Sequence, residues 1–135
     1  MSDLNEIQTL TDFISRIEVI KSESESLGNN AELLFRGQRQ DHKLCPKLAR
    51  IDLNGKIKKI EKLMLDEFKR ASLPLAEFEP KDNWDWLALA QHHGLPTRLL
   101  DWTYSALVAL WFAVEKAPKE NKNGVVWILK SEVSD

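Results

Sequence analysis

Gln91-His92-His93-Gly94-Leu95-Pro96-Thr97-Arg98-Leu99-Leu100-Asp101-Trp102-Thr103 is the stretch on which the fold turns. It gathers ionisable and amide side chains between two apolar segments. Groups of that kind sit in such surroundings when they are paired or in use. Upstream, Asp82 or Asn83 can cap a helix from Trp84 to His93, and Gly94 suits its C-terminal cap. Pro96 blocks continuation. Thr103 or Asp101 can cap a second helix from Ser105 to about Lys116. Ala106 to Ala113 is apolar nearly all round, which predicts a helix at the centre of a core.

A second element, Phe35-Arg36-Gly37-Gln38-Arg39, closes the short apolar run Leu33-Leu34-Phe35. Glu32 to Arg36 reads as a strand ending at Gly37. Glycine there permits a positive φ or the close approach of a ligand. Taken together, Phe35-Arg36-Gly37, the 91–103 stretch and the apolar 106–113 segment resemble the FRG domain family, named for its (F/Y)RG tripeptide. The resemblance covers roughly Leu34 to Lys130. His93 stands where the family more usually has tyrosine, which removes a phenol and adds a titratable ring. The resemblance implies a bacterial domain with no assigned biochemistry, so chemistry must come from the residues.

The remaining elements read from period and punctuation. Thr9 to about Ile20 predicts a helix, with Thr9 and Asp12 as a capping arrangement and Leu10, Phe13, Ile14 and Ile17 on one face. Ser22 to Asn30 is polar and predicts a loop. Gln38 to Leu53, broken by Cys45-Pro46, predicts an irregular segment with one helical turn near Leu48. Lys56 to Ala71 predicts a helix with Ile57, Ile60, Met64 and Phe68 on its apolar face. Its lysines read as a solvated face, since Glu61, Asp66 and Glu67 are interspersed. Pro74 to Pro80 predicts an acidic loop.

Val125-Val126-Trp127-Ile128-Leu129 predicts a buried strand that needs sheet partners, best supplied by Leu33 to Arg36. The expected architecture is a mainly helical α+β domain spanning 1–135, with a small sheet of about 33–36 and 124–130. The chain is expected to be the N-terminal part of something longer or to borrow a strand. A second copy or a C-terminal segment would then pair with 125–129.

Composition narrows the function classes. With 135 residues, 43% hydrophobic, and a net charge of −2, the chain suits one globular core. That balance disfavours nucleic acid without ruling it out. The single Cys45 excludes an internal disulfide framework and fits a reducing, cytoplasmic compartment. No segment reads as a signal peptide or a membrane span.

Arg36 and His92 are the candidate catalytic residues, and Arg98, Gln91, Asp101 and Trp102 the candidate ligand-binding ones. An arginine beside a glycine turn can grip a carboxylate or phosphate, or form a structural pair with Asp101. Arg36 and Arg98 are expected to converge. His92 reads as a base, proton donor or ligand hydrogen-bonder, or else as a core histidine. Asp101 reads as a helix cap or an arginine partner, and Trp102 as a stacking platform or a core residue. No metal-ligand spacing is present, and no cofactor is indicated. Two functions follow. One is binding of an anionic or nucleotide-like ligand, with catalysis left open and an NAD-using transferase or hydrolase as one guess. The other is a structural or protein-interaction module whose buried polar network only fixes the fold.

Overall fold

Glycine and alanine decide how the sheet receives its helix. In the computed structural model, which describes residues 6–26, 31–75, 80–116 and 122–131, strand β1 (Glu32–Gln38) pairs antiparallel with β2 (Val125–Ser131). Phe35 lies opposite Ile128, Arg36 opposite Trp127 and Gly37 opposite Val126. The expected pairing of Leu33–Arg36 with 125–129 is what the chain adopts. The other edge of β1 is closed at one point. Phe35 N–H donates to Thr103 O at 2.7 Å, and Thr103 N–H donates to Phe35 O at 2.8 Å.

Among the described residues the architecture is α+β, with helices α1 (Leu10–Ser26), α2 (Ile57–Ser72), α3 (Asn83–His92) and α4 (Ala106–Val114) beside the two-stranded sheet. Single 3-10 turns occupy Leu48–Arg50, the turn expected near Leu48, and Leu73–Leu75. The described residues fall into two units. The first is Met1–Asp41 with Trp102–Asp135, and the second is His42–Asp101.

In the first unit, α1 buries Phe13 and Ile17 against Phe35 and Ala109, with Leu33, Ala106, Leu110, Val126 and Ile128 completing the core. Thr9 starts α1 as the sequence suggests. Its Oγ1 accepts from Asp12 N–H at 3.1 Å, and its hydroxyl donates to Asp12 Oδ2 at 2.6 Å. The helix runs on to Ser26, so the loop expected from Ser22 is helical as far as that residue. Glu23 and Glu25 are good helix formers, and low hydrophobicity alone does not end a helix. Residues 27–30 lie outside the described set.

The expectation of a wholly buried α4 is overturned. Ala109 and Ala113 are buried, but Leu107, Val108, Trp111, Phe112 and Val114 are exposed. The small residues form the packed stripe because the backbone of β1 lies against them, and the large residues point away. The cap also differs from the expectation: Ser105 Oγ accepts from Val108 N–H at 3.3 Å. Thr103 Oγ1 accepts from Ser105 N–H at 3.1 Å, one step earlier.

In the second unit, α2 and α3 share a core of Leu65, Trp86, Leu87 and Ala90, with Phe68, Leu89, Leu95 and Leu99 packed around it. Phe68 meets Trp86 edge-on at 6.4 Å. Asp82 caps α3, its Oδ1 accepting from Trp84 N–H at 2.7 Å and Asp85 N–H at 2.9 Å. Gly94, at φ +89°, ends the helix as expected. Leu95 N–H then reaches back to Ala90 O at 2.9 Å. Of the expected 74–80 loop, residues 76–79 lie outside the described set. Among the described residues no helix is long and apolar enough to cross a membrane.

Candidate functional site

Arg36 and Trp102 belong to the first unit, and Gln91, His92, Arg98 and Asp101 to the second. Each group is built on its own elements.

In the first unit, strand alternation sorts β1 onto two faces. Phe35 is buried toward α1 and α4, and Gly37 meets α4. A Cβ on Gly37 would fall 1.8 Å from Ala109 O and 2.9 Å from Ala113 N. The glycine therefore serves the helix backbone. Of the two uses that glycine permits there, the positive φ is not taken up, since Gly55 and Gly94 are the glycines with that geometry among the described residues. Gly124 repeats the arrangement, its would-be Cβ lying 2.6 Å from Ala113 O.

Leu34, Arg36 and Gln38 alternate onto the opposite face. Arg36 is half-buried, with its Nε withdrawn from solvent. Directly across the strand pair is Trp127, also half-buried. Trp127 Nε1–H donates to Gln38 Oε1 at 3.0 Å, which holds the indole in one orientation. A guanidinium, a fixed indole and an amide thus share one face of a two-stranded sheet. Trp102 is half-buried, immediately before the Thr103 that closes the β1 edge.

In the second unit the 91–101 residues form a network. Thr97, which is 1% exposed, donates its hydroxyl to Gln91 Oε1 and accepts from Leu99 N–H at 3.2 Å. Gln91 Nε2 donates to Asp101 Oδ1. Both ends of the Gln91 amide are therefore engaged. Asp101 does not cap α4, because Ser105 does. Leu48 N–H reaches Thr97 O at 3.3 Å, and Lys47 Nζ donates to Gly94 O at 3.2 Å, tying the irregular segment to the same connection.

Arg98 pairs with Glu61 of α2. Its Nε donates to both carboxylate oxygens at 2.9 Å, and Nη2 donates to Oε2. The acid is almost fully buried and the arginine side chain is 53% exposed. The Arg98 hydrogen bonds hold the Glu61 carboxyl below its ordinary range, against the opposing effect of burial. The same hydrogen bonds raise Arg98. Glu61 therefore does not belong to a solvated charged face, as its neighbours suggested. It shares the buried stripe of α2 with Leu65.

His92 is exposed at the end of α3, which overturns the core-histidine alternative. Its ring meets His93 at 5.5 Å, and His93 lies 6.0 Å from Phe68. Among the described residues no group of three or more histidine, cysteine, aspartate or glutamate side chains is gathered for a metal.

The sequence reading missed Glu61 and Trp127. An acid one turn before Leu65, on the apolar stripe, was the signal for the first. For the second, the signal was the strand register itself, since pairing 33–36 with 125–129 sets an aromatic residue beside Arg36.

A family model described as FRG domain matches residues 31–122. The chain belongs to the FRG domain family. The match takes in both the Phe35-Arg36-Gly37 strand and the 91–103 connection, so the tripeptide and the polar network are parts of one family unit. No curated protein and no solved structure matches the chain. In FRG terms, the arginine and glycine of the tripeptide divide between two faces of β1, with the glycine turned to α4.

Proposed function

We propose that this FRG domain binds an anionic or nucleotide-like small molecule, with Arg36 gripping the anion and Trp127 offering a face for a planar ring. The observation that carries this reading is the cross-strand pairing of Arg36 with Trp127, whose indole is fixed by Gln38. A guanidinium recognises carboxylate or phosphate through its planar fork, and aromatic faces stack on bases. Rigid strands hold such groups better than loops do. In the other unit, exposed His92 keeps its own assignment as a ligand hydrogen-bonder or proton carrier. Trp102 keeps its assignment as a ring-contacting side chain.

A second reading is favoured for the 91–101 connection. Gln91 spends both amide ends on Thr97 and Asp101, and Arg98 is held by Glu61. Satisfied polar networks of this kind fix geometry. Gln91, Arg98 and Asp101 thus support the fold of their unit more than they address a ligand.

The test is titration of ¹⁵N-labelled protein with inorganic pyrophosphate, AMP and ADP, following the five tryptophan indole N–H signals. A Trp127→Phe variant assigns the relevant peak. Saturable movement of the Trp127 signal with ADP, lost or weakened at least about tenfold in Arg36→Ala, supports the reading. No movement at millimolar ligand, or unchanged affinity in Arg36→Ala, overturns it. Product analysis in the same samples shows whether any bond is broken.

A further inference from the structure

The outer side of α4 is uncovered apolar surface. Leu107, Trp111 and Val114 form one stripe at helical spacing, and Val108 and Phe112 form a second beside it. Their exposures run from 43% at Val108 to 62% at Trp111, and Tyr104 just before the helix is 70% exposed. An aromatic side chain offers about 150–250 Å², so these six residues present roughly 600 Å² in one continuous patch. That is at the upper end of what a monomer normally leaves in water.

We propose that α4 is a self-association surface, on which a second copy of this chain packs its own α4 antiparallel across a two-fold axis. Area is the first argument. A stable interface needs about 800 Å² from each partner, and the patch supplies most of that. Charge is the second. No charged residue occurs between Ala106 and Val114, so the surface is self-compatible. In an antiparallel pair the two helix macrodipoles run in opposite directions, the electrostatically favoured arrangement of neighbouring helices. The same face of both copies is used, so the contact closes as a dimer.

The test uses the full chain. Sedimentation equilibrium or light scattering across a concentration series is expected to show a monomer–dimer equilibrium. Trp111→Glu is expected to weaken dimerisation at least about tenfold while leaving the circular dichroism spectrum unchanged, since the side chain is already outside the core. Cross-linking fixes the orientation. In a Cys45→Ser background, Leu107→Cys mixed with Val114→Cys should give a heterodisulfide, and Leu107→Cys alone should give almost no linked dimer. Monomer at every concentration overturns the proposal. So does a dimer indifferent to Trp111→Glu, whose contact would then lie elsewhere, for example along the outer edge of β2. Efficient homodisulfide formation by the Leu107→Cys variant alone overturns the antiparallel arrangement.

Discussion

The position a Cβ would take on Gly37 lies 1.8 Å from the carbonyl oxygen of Ala109. Backbone occupies that space, so no rotamer change can relieve an added methyl group. Gly37→Ala is expected to cost about 3 kcal/mol or more, at or above the usual range for overpacking, because α4 must lift from β1. Urea denaturation measures it. A midpoint equal to wild type would mean that the glycine serves something other than helix packing.

Thr97→Val tests the polar connection. The substitution keeps shape but removes the hydroxyl that serves Gln91 Oε1 and Leu99 N–H. Leaving those groups unserved in a site that is 1% exposed is expected to cost about 1–3 kcal/mol. Thermal unfolding of the purified variant shows it as a lowered midpoint.

The Glu61–Arg98 pair gives a pH dependence of known sign. The folded carboxyl titrates below its ordinary value of 4.5. Its stabilisation is therefore fully present above about pH 4.5 and is lost as pH falls through the lowered folded value. Arg98 is half exposed, so screening limits the effect to roughly 1–2 kcal/mol. Urea midpoints for wild type and Glu61→Gln are expected to differ near neutrality and to converge in acid. A gap that stays constant down to strongly acidic pH would assign the stabilisation to packing.

His92→Ala is expected to leave stability within about 0.5 kcal/mol of wild type, because the side chain is exposed. Loss of ligand affinity without loss of stability would mark the imidazole as a ligand contact. A large drop in melting temperature would instead assign it to holding the end of α3.

The sequence disclosed the elements governed by local rules. Capping by Thr9 and Asp82 and the stop at Gly94 each depend on a few neighbouring residues, while the distant pairing of 33–36 with 125–129 was legible because few other segments read as strands. Three features were hidden because they depend on contacts distant in sequence. Gly37 read as a turn residue, since only the crossing of α4 shows why a side chain cannot fit. Glu61 read as one charge among many, since its partner lies on a connection far along the chain. The apolar composition of α4 read as burial, although composition cannot say how many sides of a helix are covered. Among the candidate site residues, Gln91 hydrogen-bonds Asp101, and the cap expected from Thr103 or Asp101 is supplied by Ser105.

The bridge between Phe35 and Thr103 bears on how the chain reaches its fold in time. The first unit is discontinuous, and its two parts flank the contiguous stretch His42–Asp101. Phe35 must therefore find a partner about 70 residues away, a closure whose entropy costs on the order of 4 kcal/mol before any sheet contact repays it. During N-to-C synthesis β1 emerges long before Thr103 or β2, while the partners within the intervening unit, such as Glu61 with Arg98, lie closer together in sequence than Phe35 and Thr103. Local contacts form fast and distant pairings slowly. The strand that carries Arg36 is thus among the first parts made and among the last to be completed, and until then its apolar residues stay in water unless a chaperone shields them.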